Sequence, residues 1–133
     1  SQSPLTICDT GHNGHGIKYV AEQLKHESVK IKSAKGKLHV VLGMVGDKDV
    51  DVVLSLLPED AIYYFTQPTT SRALAAEDML YRWKLVHPLH KNSRSFESAQ
   101  LAVAAAQKEA SSDDVIFIGG SNYVVGEVLQ LYT

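Results

Sequence analysis

The sequence has 133 residues, 44% hydrophobic and 21% charged, a length that favours a single domain over residues 1–133. Its 13 basic and 15 acidic residues give a net charge of −2, which provides no basic surplus for binding nucleic acid. No apolar run approaches the ~20 residues that span a bilayer, no secretory signal opens the chain, and the single cysteine cannot form an internal disulfide, so we expect a cytoplasmic protein without membrane contact.

Short runs of β-branched and aromatic residues alternate along the chain with longer segments of helical periodicity. These runs contain little polarity, which is typical of strands buried on both faces of a parallel sheet. A weaker strand is predicted at 84–86, before Pro88. The stronger strands are predicted at residues 5–8, 38–42, 61–65 and 115–118.

Apolar residues at helical spacing predict helices between these strands and after the last one. Strict alternation of strand and helix predicts a three-layer α/β domain, with a mostly parallel sheet of about five or six strands and helices on both faces. The helical segments cover residues 17–24, 50–57, 73–83, 96–106 and 123–131. The candidate N-caps are Asp49, Ser71, Ser95 and Ser121.

Glycine-rich polar loops follow three of the predicted strands, at residues 9–16, 43–49 and 119–123. Ligands of open α/β sheets bind beyond the carboxyl ends of the strands, and glycines allow backbone N–H groups to approach an anion. None of the loops is a Walker A motif or a dinucleotide fingerprint. The pattern therefore predicts a binding site on one edge of the sheet that lacks its own triphosphate cradle.

Other functional interpretations of the polar residues are weaker. A zinc site at Cys8, His12 and His15 would lack a fourth ligand, and no nucleophile elbow indicates a hydrolase. His39 lies inside a predicted buried strand, so we expect a core histidine with satisfied hydrogen bonds. No role is predicted for three further residues: Arg72, His87 and His90.

The three loops carry a family resemblance. Residues 9–16, D-T-G-H-N-G-H-G, resemble the D-G-A-H-N-P-H signature of folylpolyglutamate and dihydrofolate synthases, with departures at Thr10, Gly11 and Gly14. Residues 43–49, G-M-V-G-D-K-D, and 120–128, G-S-N-Y-V-V-G-E-V, are similar to that family's G-M-x-x-D-K-D and G-S-x-Y-x-V-G-E-V. The wider resemblance is to Mur ligases, whose C-terminal domain has a Rossmann-like fold.

This resemblance implies the C-terminal domain of an ATP-dependent ligase that joins L-glutamate to folate or dihydropteroate through an acyl phosphate. It implies ATP and Mg²⁺ as cofactors, bound mainly by an N-terminal domain that this chain does not contain. The chain begins at Ser1 rather than methionine, so we expect it to be a piece of a longer protein. The chain alone is expected to be inactive.

The resemblance also implies roles for individual residues. Asp9 is similar to a ribose-binding aspartate, and Asn13 either caps the first helix or contacts ATP. His12 corresponds to a catalytic position near the incoming glutamate and the acyl phosphate, while Lys48 and Ser121 correspond to contacts with the glutamate carboxylate. No metal ligand is expected in this chain.

An alternative is a stand-alone α/β module that binds a nucleotide or anion without catalysis. A P-loop encoded upstream of Ser1 would favour the ligase, whereas a start codon within a few residues would favour the module. The choice between folate and dihydropteroate depends on a pocket outside this sequence.

Overall fold

The computed structural model describes residues 5–8, 36–46, 50–69 and 73–119. Within these ranges, strands and helices alternate after the first two strands. The strands are β1 (Leu5–Cys8), β2 (Leu38–Leu42), β3 (Ile62–Phe65), β4 (Ser93–Ser95) and β5 (Val115–Gly119). The helices are α1 (Val50–Leu56), α2 (Ala76–Val86) and α3 (Ala99–Glu109).

The five described strands form one sheet in the order β1-β5-β2-β3-β4, and every neighbouring pair is parallel. The last strand in sequence therefore lies between the first two. All residues of β2 and β5 are buried, as their continuous apolar runs predict. The predicted α/β class and the parallel sheet are confirmed.

Helices cover both faces of this sheet. On one face, α1 and α2 pack over Val40, Tyr63 and Phe117; on the other, α3 packs over Val41 and Ile116. Successive strand residues point to opposite faces, so each buried strand contributes to both cores. The described part of the chain is thus a three-layer domain.

The strand predicted at residues 84–86 was wrong. Residues 84–86 form the last turn of α2 rather than a strand, because Ala76, Met79 and Trp83 continue a helical stripe of buried residues up to Pro88. The strand in this region is β4, a polar segment on the outer edge of the sheet. An edge strand pairs on one side only, so it tolerates polar side chains that a central strand does not.

Helix starts also differ from the sequence predictions. Ser95 lies in β4, and the N-cap of α3 is Ser98, whose side chain accepts a hydrogen bond from the Leu101 N–H at 3.2 Å. Helix α2 begins at Ala76 instead of near residue 73. The other proposed caps, Asp49, Ser71 and Ser121, lie outside the described residues, as do the helices predicted at 17–24 and 123–131.

None of the helices in the described ranges is long and apolar enough to cross a membrane.

Candidate functional site

Three neighbouring strands end together at one edge of the sheet, which we call the carboxyl edge. Cys8 of β1 pairs with Ile118 of β5, and Leu42 of β2 pairs with Gly119. Beyond these pairs, the Gly43 N–H donates to the Gly119 carbonyl at 3.3 Å. The three strand ends that lead into the glycine-rich loops therefore lie side by side, as the sequence predicted.

The loop after β2 is held in place by backbone contacts with the segment that precedes α2. Val45 pairs with Ala73 in an isolated antiparallel bridge, and the Leu74 N–H donates to the Met44 carbonyl at 2.9 Å. Gly46 follows with a φ of 71°, a left-handed conformation that favours glycine. The chain therefore enters residues 47–49 from a defined position and direction.

The segment after β3 is attached to the same region. The Thr66 N–H donates to the Leu42 carbonyl at 2.9 Å, which extends the β2–β3 pairing by one bond. The side-chain oxygen of Gln67 accepts the Ala76 N–H at 2.9 Å. Ala75, the N-cap residue of α2, has no side chain that could cap the helix, so Gln67 performs this role from nine residues upstream.

The predicted ligand-binding residues follow these strand ends closely in sequence. Asp9 comes directly after β1, and Lys48 comes two residues after Gly46. The convergence of the predicted side chains stays a prediction, because these residues lie outside the described ranges: Asp9, His12, Asn13, Lys48 and Ser121. Arg72 also lies outside them.

A second polar cluster lies near the amino ends of the strands, opposite the carboxyl edge. It surrounds His39, near the start of β2. Its Nε2 lies 2.8 Å from the Asp114 carboxylate, and its Nδ1 lies 2.8 Å from the Tyr64 hydroxyl. Tyr64 in turn donates to Glu109 at 2.8 Å, and Glu109 also accepts from Arg94. His39 is therefore a core histidine with both nitrogens satisfied, as expected from sequence.

Hydrogen bonds join the members of this cluster in a chain. The Tyr64 hydroxyl donates to Glu109, and its oxygen faces the Nδ1 of His39. The Asp114 carboxylate faces the Nε2 of the same ring. His39 thus connects a carboxylate and a phenol inside the sheet.

The pKa values of the neighbouring acids reflect these contacts. Burial by itself would raise the pKa of Asp114, but the N–H groups of Ser111 and Lys37 and the ring of His39 outweigh it and hold that pKa below its ordinary value. The hydrogen bond from Arg94 lowers the pKa of Glu109. Burial, followed by the contact with Glu109, raises the pKa of the Tyr64 hydroxyl. The network therefore stabilises the Asp114 and Glu109 carboxylates in their charged forms.

His87 and His90, to which the sequence assigned no role, have structural roles beside Trp83. His87 is buried, with Nδ1 2.6 Å from Glu59 and Nε2 2.7 Å from the Leu54 carbonyl. His90 accepts from the Trp83 indole at 3.1 Å and contacts the Ala61 carbonyl at 2.8 Å. Both rings connect the ends of α1 and α2 to the sheet, away from the carboxyl edge.

No group of three or more histidine, cysteine, aspartate or glutamate residues in the described ranges is arranged to hold a metal ion.

Comparisons with known proteins agree with this architecture. The Mur ligase, glutamate ligase domain family matches residues 1–122. A dihydrofolate synthase/folylpolyglutamate synthase of Escherichia coli is 28% identical over 132 residues, which cover 98% of this chain and 28% of the relative. The chain therefore spans less than a third of the curated relative's length.

Solved structures of folylpolyglutamate synthase/dihydrofolate synthases are also similar to this chain over its whole length. The E. coli FolC structure in complex with DHPP and ADP has a TM-score of 0.77 at 27% identity, covering 99% of this chain and 29% of that one. A bifunctional folylpolyglutamate synthase/dihydrofolate synthase with Mn, AMPPNP and L-glutamate bound has a TM-score of 0.76 at 26% identity, covering 100% of this chain and 30% of that one. The parallel sheet, the grouped strand ends and the match to residues 1–122 show that this chain belongs to the Mur ligase, glutamate ligase domain family.

Proposed function

We propose that this chain is the C-terminal part of an ATP-dependent ligase that adds L-glutamate to folate or dihydropteroate. The observation that carries the proposal is the adjacency of the ends of β1, β5 and β2, each followed in sequence by one of the three family-like loops. The E. coli dihydrofolate synthase/folylpolyglutamate synthase and the E. coli FolC structure are similar to this chain over nearly its whole length. A single cysteine, which cannot form an internal disulfide, supports a reducing compartment such as the cytoplasm.

The proposed reaction has two steps. A carboxylate oxygen of the pterin substrate attacks the γ-phosphorus of ATP, which forms an acyl phosphate and releases ADP. The amine of L-glutamate then attacks the acyl carbon, forms the amide bond and releases phosphate. A divalent cation supplies charge neutralisation at the phosphates.

The chain's own loops are assigned to positioning in this reaction. Asp9 and Asn13 bind the nucleotide, and His12 lies beside the acyl phosphate and the incoming amine. Lys48 and Ser121 bind glutamate carboxylates, because a dianionic amino acid requires a cation and hydrogen-bond donors. The phosphate cradle and the metal ligands are assigned to the part of the ligase outside this chain, and this chain is assigned a Rossmann-like fold.

The test is steady-state kinetics on the full-length protein that contains this chain, with ADP release as the readout. Lys48→Ala should raise the KM for glutamate by about 30- to 4,000-fold, because its loss leaves a carboxylate unpaired in the closed site, at ~2–5 kcal/mol. The KM for ATP should change much less. Lys48→Arg should not fully restore the affinity, since a planar guanidinium does not replace a point charge.

Two controls accompany this variant. Lys108→Ala removes an exposed lysine from α3 and should leave both KM values within about twofold, as for an ordinary surface substitution. The 133-residue chain alone should release no ADP, since phosphoryl transfer depends on groups positioned around the γ-phosphate. An unchanged KM for glutamate with a large loss of ATP affinity would assign Lys48 to the nucleotide instead, and a full-length protein without glutamate-dependent ADP release would refute the ligase.

A further inference from the structure

The segment between β3 and α2 is tied to the loop that leads to Lys48. Its far end contacts that loop through the Val45–Ala73 bridge and the Leu74 N–H, which donates to the Met44 carbonyl at 2.9 Å. Its near end is fixed to β2 through the Thr66 N–H and the Leu42 carbonyl. We call residues 73–75 the brace, because they pair with the loop and lie directly before α2.

The Gln67 side chain joins the two ends of this segment. Gln67 follows Thr66, and its oxygen accepts the Ala76 N–H, which adjoins the brace. The contact spans nine residues and is half-buried. The N-cap residue itself supplies no cap, since Ala75 is extended, with φ −61° and ψ 138°, and makes no side-chain hydrogen bond to the helix. Gln67 thus holds the brace against the end of the sheet as well as capping the helix.

We infer that Gln67 is a positioning residue for the loop that carries Lys48, and that it sets the affinity of the site for glutamate without touching it. The inference rests on the proposed function. The connection is continuous: Gln67 holds Ala76, the adjoining brace holds residues 44 and 45, and Gly46 leads to Lys48 two residues later. Small displacements of a charged group weaken the binding of the ion that it pairs with.

The first variant is Gln67→Met, which keeps the length of the side chain and removes the acceptor. In the full-length protein, the KM for glutamate should rise about 3- to 30-fold, the range for residues that act through a contact network. The KM for ATP and kcat should stay within about twofold, because a weakened carboxylate contact affects ground state and transition state alike. Gln67→Glu retains an oxygen acceptor at a helix N-terminus and should restore the KM.

A matched control separates positioning from helix stability. Ser98→Ala removes the corresponding N-cap contact of α3, the bond from the Leu101 N–H, and does not touch the brace. It should lower Tm by an amount comparable to Gln67→Met and leave the KM for glutamate unchanged. An equal rise in KM in both variants would overturn the inference.

A double variant sharpens the separation. Ala75→Ser places a hydroxyl at the N-cap of α2, where the extended backbone suits a capping serine. Added to Gln67→Met, it should restore Tm but leave the KM for glutamate raised, because the bond from the Ala76 N–H to Gln67 is still missing. Recovery of the KM together with Tm would show that Gln67 acts only through helix stability.

Hydrogen exchange tests the brace independently of catalysis. Peptides covering residues 43–49 should exchange faster in full-length Gln67→Met than in Ser98→Ala, since the Leu74–Met44 bond opens more often. Unchanged exchange in Gln67→Met would refute the inference even in a protein without ligase activity. Faster exchange in Gln67→Met with no glutamate-dependent ADP release would support the contact between Gln67 and the brace and refute the proposed ligase function.

Discussion

Replacing Asp114 by asparagine tests whether the buried network around His39 stabilises the fold through charge. The Asp114 carboxylate accepts from the Lys37 N–H at 2.9 Å, the Ser111 N–H at 3.0 Å and His39 at 2.8 Å. Asparagine retains one acceptor oxygen and places an NH₂ group opposite donors. At least one of these contacts is lost, and His39 no longer faces a carboxylate.

The expected loss is about 3–5 kcal/mol in the free energy of unfolding, which lies within the ~3–6 kcal/mol expected for two lost hydrogen bonds to a charged group at ~1.5–3 kcal/mol each. Because Asp114 is only 6% exposed, solvent screening reduces this loss little. For a domain of this size the loss corresponds to a drop in Tm of roughly 10–20 °C.

Guanidinium denaturation measures the loss directly. Trp83 is the chain's single tryptophan and is fully buried, so its fluorescence reports unfolding of the core. The midpoint should fall with the m-value unchanged. Asp113→Asn, a change at the exposed neighbouring residue, should stay within ~0.5 kcal/mol of the wild type. A loss below 1 kcal/mol in Asp114→Asn would refute the charge-based account.

The pH dependence of the free energy of unfolding, measured for wild type and Asp114→Asn, tests whether the charged form of Asp114 is the stabilising one. The pKa of Asp114 is lower in the folded state than in the unfolded chain, so its stabilisation is fully present above the unfolded value of about 3.9. It is lost as the pH falls through the lower folded value. The difference in the free energy of unfolding between wild type and Asp114→Asn should therefore narrow below about pH 4. A constant difference down to pH 2 would show that the charged Asp114 carboxylate does not stabilise the fold.

Thr66→Val should raise the free energy of unfolding by about 1 kcal/mol, because the Thr66 hydroxyl is buried and has no hydrogen-bond partner in the described part of the chain. A fall of 1 kcal/mol or more in thermal denaturation would show that the hydroxyl has a partner in the native state. Arg94→Gln should cost at most ~1 kcal/mol, since the Arg94 and Glu109 side chains are 48% and 38% exposed. That loss should shrink in 1 M salt, and a loss independent of salt would point to packing on Tyr64 instead of the ion pair.

The sequence was sufficient to predict the class of fold and the grouping of three strand ends at the carboxyl edge. Buried parallel strands require apolar residues on both faces, so β2, β3 and β5 were visible as short apolar runs. Glycine-rich loops after three such runs predicted a common edge, and the register of β1, β5 and β2 places their ends together. These features depend on local burial, which leaves a periodic pattern in the residues.

Local sequence patterns were misleading for the edge strand β4 and for the end of α2, which are buried on one side only. The polar strand β4 pairs only with β3, so its serine and arginine side chains gave no strand signal. Residues 84–86 resembled a strand, although the buried stripe that ends at Trp83 belongs to one continuous helix.

Only the tertiary structure decided which distant residues meet. The insertion of β5 between β1 and β2 brings Asp114 onto His39, 75 residues away in sequence. The path of the chain from β3 to α2 likewise brings Gln67 to the start of that helix, a cap that no neighbouring residue indicates. Such contacts depend on strand order, on register and on the reach of individual side chains, and a linear pattern of apolar and polar residues records none of these.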